Sequence, residues 1–322
     1  MRKKVFLALF FFSFLLFGQN GYIKIPVLTD VTSLIANSGR PITFAGRFDV
    51  DSRGYFYIQD MDTGNIAKFS PSGAYIKDLL QIGTGKKEIS SLHDFLIKGQ
   101  NLYVLDNNFS GVKVFDLDGN FLFSFKTEDP PYSIAVSNTG EIYVPDFSNK
   151  VKNIISVYSP RGKFLRSFGD PFYDARFSDK KKNRILNRTL IIRISGNDEV
   201  YILSLVLPSF RKYSPTRLLV YDNRIKGPEV PKGDIVFYDD TLSLVNAAVD
   251  MALDSEGRII ISFPSTCAYV YNPEGALIKK IAIDLGGNYS SPQKFILLSG
   301  KIYSVIPEKI LILDYNSIKG QL

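Results

Sequence analysis

Runs of alternating apolar and polar residues, each about five residues long, recur along the chain and are joined by short turns rich in Gly, Pro, Ser, Asn and Asp. Alternation with period two is the signature of a half-buried strand, and two such runs around a tight Gly-containing turn make a hairpin. The clearest pair lies mid-chain: Tyr132 to Asp146 reads YSIAVSNTGEIYVPD, and Ile154 to Gly169 reads IISVYSPRGKFLRSFG. The same pair recurs from Phe48 and Asn65, from Asp94 and Gly111, from Ile191 and Arg217, from Asp250 and Cys267, and from Lys294 and Lys309. Six units of roughly 40 to 60 residues, each supplying four short strands A to D, predict a ring of radial sheets. Gly54, Gly140 and Gly257 fall in A–B turns, and Gly73, Gly119, Gly162 and Gly275 in C–D turns. The last unit lacks a strong D strand of its own. The apolar segment from Tyr22 to Ala36 precedes the first A strand and is expected to supply it, closing the ring and removing an open edge.

The fold class expected is therefore all-β, a six-bladed β-propeller whose last blade is closed by an N-terminal strand. The pattern in Ile134 to Phe168, apolar-Ala-Val-x-x-x-Gly-x-Ile-Tyr-Val-x-Asp followed by Ile-x-Val-Tyr-x-x-x-Gly-x-x-Leu-x-x-Phe, resembles the NHL-repeat family of six-bladed propellers. The resemblance covers nearly the whole chain after residue 20 and weakens in blades four and six. It implies a fold used for binding proteins, ligands and, in some intracellular members, RNA; a propeller hosts many activities, so it does not choose among them.

Composition changes the picture at the N-terminus. Met1 to Lys4 is basic, Val5 to Phe17 carries no charge, and the chain then turns polar, which is the pattern of a secretory signal peptide. The domain reading is a signal peptide over 1–20 and the propeller over 21–322, exported to the periplasm or beyond the cell, with no membrane span once the signal is removed. Without Arg2, Lys3 and Lys4 the formal charge of +7 falls to about +4, from 36 basic against 32 acidic residues. Such a mild excess speaks for solubility and gives no expectation of nucleic acid as partner. Cys267, the only cysteine, forms no internal disulfide and reads as a small buried hydrophobe.

Two places carry candidate chemistry. Three long insertions, Gly169 to Arg188, Val206 to Thr216 and Pro231 to Ala248, crowd the face of the B–C and D–A connections around blade four. The first brings Phe172, Tyr173, Arg176, Phe177, Lys180, Lys181 and Lys182; the second Phe210, Arg211, Lys212 and Tyr213. Aromatics interleaved with cations suit a protein or an anionic ligand. The other place is the channel, where alternation of the A strands is expected to aim Arg47, Asp49, Asp94, Arg193, Asp250 and Lys294 at the axis. Three cations and three acids there read as a balanced set.

Catalysis finds little support in the residue inventory. His93 is the only histidine, so there is no histidine-rich zinc site. Streptogramin-lyase-like propellers resemble this fold but lean on histidines that the chain lacks. The expectation is a non-catalytic binding or scaffolding propeller with no cofactor, no metal and no catalytic residue assigned. The alternative is a divalent-metal-dependent hydrolase or lyase at the channel mouth, with His93 beside Asp94 as its base.

Overall fold

The computed structural model describes residues 22–40, 42, 45–147, 152–175, 186–238, 241–285, 288–291, 293–306 and 309–322. The expected signal peptide lies outside them. The chain opens with β1 (Tyr22–Ile25), β2 (Val27–Asp30) and α1 (Val31–Ile35). Blade one is β3 (Ala45–Val50), β4 (Phe56–Asp60), β5 (Ile66–Phe69) and β6 (Tyr75–Asp78); blade two is β7 (Leu92–Lys98), β8 (Asn101–Asp106), β9 (Gly111–Asp116) and β10 (Phe121–Lys126). Blade three is β11 (Ala135–Val136), β12 (Ile142–Pro145), β13 (Ile155–Tyr158) and β14 (Phe164–Phe168). Blade four is β15 (Leu190–Ile194), β16 (Val200–Ser204), β17 (Ser209–Tyr213) and β18 (Leu219–Arg224). A hairpin, β19 (Asp234–Tyr238) and β20 (Thr241–Val245), leads to blade five: β21 (Asp250–Leu253), β22 (Ile259–Ser262), β23 (Ala268–Tyr271) and β24 (Leu277–Asp284), with β25 (Tyr289–Ser290) beside it. Blade six is β26 (Gln293–Leu298), β27 (Lys301–Ile306) and β28 (Lys309–Asp314), and the chain ends in α2 (Asn316–Lys319). No helix among the described residues is long and apolar enough to cross a membrane.

The protein is a six-bladed β-propeller, and the N-terminal strand closes it. Only β2 performs the closure: it pairs antiparallel with β28, Val27 opposite Leu313 and Asp30 opposite Leu311. The rest of the segment expected to form that strand does two other things. Tyr22–Ile25 lies parallel to β24 as a fifth, outermost strand of blade five, Ile23 opposite Ile281. Val31–Ile35 forms one helical turn, capped by the Asp30 carboxylate, which accepts from Ser33 N–H at 3.2 Å.

The core is distributed over six seams between neighbouring blades. Strand side chains alternate, so one parity of each A strand packs on the preceding blade and the other on the following one. Ile134 and Val136 pack with Tyr103, Leu105 and Val112 of blade two, while Ala135 packs with Leu190 and Ile192 of blade four. Ile191 joins Met251 and Ile259 of blade five, Ala252 joins Ile302 and Leu311 of blade six, and Ile296 joins Val50 and Phe56 of blade one. This refines the expectation that one parity simply faces the axis: it faces the next blade and borders the channel.

Candidate functional site

All A strands run the same way, beginning where the D–A connections arrive. That end of the channel also carries the described parts of the two D–A insertions, residues 169–175 and 186–189 before blade four and 225–238 and 241–249 after it. Between the A strands lies a cavity of about 330 Å³ bordered by Arg47, Asp49, Asp94, Tyr132, Arg193, Asp250 and Lys294 together with apolar residues such as Leu96 and Ile296. The structure thus brings the six channel residues singled out from the sequence together around one cavity.

Their geometry follows from the seams. Arg47 of blade one reaches blade two, its Nε donating to the His93 carbonyl at 3.3 Å and lying 3.6 Å from Asp94 Oδ1. Arg193 of blade four reaches blade five, at 2.6 Å from Asp250 Oδ1. Asp49 is buried, and both its oxygens are taken by main chain: Val50 N–H donates to Oδ1 at 2.7 Å, and Ile97 N–H of blade two to Oδ2 at 2.6 Å. Ser133 donates to the Leu190 carbonyl across the next seam at 2.6 Å. All of these contacts except the one from Val50 N–H cross from one blade to the next and staple them together.

Lys294 differs from them. Around the ring its position corresponds to Arg47 and Asp94, at the seam where blade six meets blade one. Among the described residues no carboxylate lies within salt-bridge distance of its ammonium, while Arg47 and Arg193 each have one. Its backbone is left-handed, with φ at 46°, in a register irregularity between Gln293 and Phe295. Register also breaks between Ala45 and Phe48 in blade one and between Leu92 and Asp94 in blade two. Three consecutive A strands therefore bulge at the residues that carry Lys294, Arg47 and His93. Bulges and non-glycine left-handed residues re-aim side chains and concentrate at functional sites.

The electrostatics are coupled. Burial, then the nearby Arg47 charge, pushes the Lys294 pKa below the ordinary lysine value, while Asp94 and Asp250 pull the other way. Burial works against the charge of Arg47, and Asp94 and Tyr132 more than offset it. Burial raises Asp49 to about 7, against the opposing pull of the Ile97 and Val50 N–H groups. His93 sits with its ring centroid 5.2 Å from that of Tyr132, and burial followed by Arg47 holds its pKa below the usual histidine value. At neutral pH its imidazole is uncharged.

The blade-four face requires correction. Phe210, Arg211, Lys212 and Tyr213 are not loop residues but strand β17, all buried on account of the neighbouring blades. Phe210 packs on Tyr271 of blade five at 4.9 Å, and Tyr213 on Phe168 of blade three at 5.2 Å. Arg211 stacks over Phe172 at 3.8 Å and pairs with Asp222 at 2.7 Å. Lys212 pairs with Glu199 at 2.8 Å. A C strand is covered on both faces, so its cations bury their stems and find partners on adjacent strands and turns. The B–C connection of blade four is only residues 205–208. The missed signal is Tyr213-Ser214-Pro215, which repeats Phe69-Ser70-Pro71 and Tyr158-Ser159-Pro160 at the ends of other C strands.

Of the first insertion, Phe172 is 2% exposed, its backbone N–H and C=O both bonded to the Asn187 amide, and it does not face solvent as expected. Tyr173 is 63% exposed. Arg176, Phe177, Lys180, Lys181 and Lys182 lie outside the described residues. Cys267 is buried, and burial pushes its thiol up to about 12, which leaves it unreactive near neutrality.

No family model matches the chain, and no curated protein matches it. Solved structures do. Virginiamycin B lyase from Staphylococcus aureus superimposes with a TM-score of 0.58 at 10% identity, over 87% of this chain and 97% of that one. A catalytically inactive histidine-to-alanine form of that lyase with quinupristin gives 0.55 at 11% identity, over 92% and 89%. The WD40 β-propeller domain of Doa1 gives 0.54 at 12% identity, over 84% and 78%. At such identities the likeness establishes the propeller fold and nothing finer; the NHL resemblance stands only at that level.

Proposed function

We propose that the chain is an exported binding propeller that takes an anionic ligand at the mouth of its central channel, on the face that carries the D–A insertions. Export rests on the basic, then apolar, then polar pattern of residues 1–20. The observation that carries the binding site is Lys294, a cation with no carboxylate within salt-bridge distance among the described residues, delivered to the cavity rim by a bulge in left-handed backbone. A desolvated cation with no carboxylate in direct contact favours an anion that supplies one.

The metal-dependent alternative is disfavoured by the acids themselves. Asp94 and Asp250 each pair with a guanidinium, and among the described residues no three Asp, Glu, His or Cys side chains converge as the ligands of a divalent cation would. The lyase among the structural neighbours is inactivated by loss of a histidine. This chain has only His93, whose ring packs on Tyr132.

The test is thermal unfolding with acetate, phosphate and sulfate at matched ionic strength. At least one anion should raise the midpoint of the wild type, following mass action. Lys294→Met should abolish the rise, and Tyr173→Ala, on the blade-four face, should leave it. Equal responses of wild type and Lys294→Met, or no response to any anion, would overturn the reading.

A further inference from the structure

Building on the anion site at the channel mouth, we infer that its ligand is a monocarboxylate with an apolar body, the head held at Lys294 and the body directed down the channel.

The charge comes first. Arg47 and Arg193 are matched by Asp94 and Asp250, and Asp49, which burial raises to about 7, carries its proton below that pH. What remains is one ammonium. A single negative charge neutralises it, whereas a dianion would leave an uncompensated charge in a partly desolvated cavity, at a cost that grows with burial. An alkyl phosphate is close to doubly charged near pH 7, so it is the poorer fit.

The depth of the channel follows from register. One residue pair further along the A strands from Arg47, Asp94, Asp250 and Lys294 stand Asp49, Leu96, Ala252 and Ile296, with Ala135 and Arg193 completing that level. Arg193 turns back to Asp250, and Asp49 is occupied by main chain. The level therefore presents Leu96, Ala135, Ala252 and Ile296 to the cavity, two of them small enough to leave room.

The usual objection to an apolar occupant in a propeller channel is that the innermost strands expose backbone donors and acceptors. Here several are already satisfied within the cluster. Val50 N–H and Ile97 N–H are taken by Asp49, Met251 N–H by Asp250, the Leu190 carbonyl by Ser133 and the Ile192 carbonyl by Arg193. A cavity of about 330 Å³ lies at the small end of ligand sites, suited to a short acid.

The experiment is calorimetric titration of the mature protein with butanoate, hexanoate and octanoate below their micelle concentrations, beside hexanol, hexylamine and hexyl phosphate. Affinity should rise by about four-fold per methylene until the cavity is filled. Hexyl phosphate should bind at least about ten-fold more weakly than hexanoate, and hexylamine not measurably. Lys294→Met should weaken hexanoate about ten-fold or more, and Leu96→Gln should flatten the chain-length dependence. Both variants are first checked for an unchanged unfolding midpoint; should Leu96→Gln fail to fold, the wild-type series and Lys294→Met decide alone. Hexyl phosphate binding as tightly as hexanoate, or carboxylates binding with no chain-length dependence, would overturn this inference while leaving the anion site standing. Failure of every anion to bind would overturn both.

Discussion

Arg217 shows how one residue hid an element. It takes the left-handed C–D turn position, φ at 69°, that Gly73, Gly119, Gly162 and Gly275 take in the other blades. A left-handed non-glycine residue is strained by about 1 kcal/mol or more. Its guanidinium lies 5.1 Å from the Tyr143 ring centroid of blade three, and its Nη1 donates to the Asp198 carbonyl at 3.1 Å. With the turn glycine replaced, strand β17 carries no hairpin signature of its own, and spacing alone places its buried residues in a loop. Asp49 shows the opposite case: alternation alone placed it by the channel, but its protonation depends on burial that no spacing reveals. Because burial holds Asp49 at about 7, raising the pH through that value adds a negative charge beside Asp94 and Arg193 and close to the mouth. Anion affinity should therefore fall several-fold between pH 6 and 8, and Asp49→Asn should flatten that part of the profile. Titration calorimetry with hexanoate at the two pH values checks it; an affinity that rises with pH, or an unaltered profile in the variant, would contradict it.

At the scale of elements, the N-terminal strands fasten two blades rather than one. Closure by β2 was legible because blade six lacked a D strand; the parallel docking of β1 was not, since it depends on a residue more than two hundred positions away. Glu229, in the connection after blade four, accepts from Tyr22 Oη of β1 at 3.0 Å, from Tyr269 Oη, and from Lys280 Nζ at 2.8 Å. Burial opposes the Glu229 charge, but Lys280, Tyr269 and Tyr22 outweigh it and hold its pKa at about 2. The sign follows. A carboxylate depressed in the folded state contributes its full stability above the ordinary glutamate range and loses it as the pH falls from about 4.5 toward 2. Glu229→Gln should lower stability at pH 7 by about 2 kcal/mol. It should also lose less stability than the wild type between pH 5 and 3. Denaturant unfolding of both proteins across that range measures it, and parallel stability curves would contradict the role given to Glu229.

For the whole molecule, the repeat was legible because each blade restates the same alternation, turn glycine and aromatic-Ser-Pro signal. The ring and its closure followed from those restatements. The site was legible in part. Strand alternation located the charged channel residues, because position along an A strand converts directly into height in the channel. What spacing could not supply was pairing: which cation meets an acid across a seam depends on the angle between blades. At the seam between blades six and one, no carboxylate among the described residues lies within salt-bridge distance of Lys294, and the proposed site rests on that difference from Arg47 and Arg193. The most direct test is hydrogen–deuterium exchange of the wild type with and without saturating hexanoate. The account predicts added protection in the three bulged A strands, Ala45–Val50, Leu92–Lys98 and Gln293–Leu298, with the segment around Tyr173 unchanged. Protection confined to residues 169–175 and absent from those strands would contradict it.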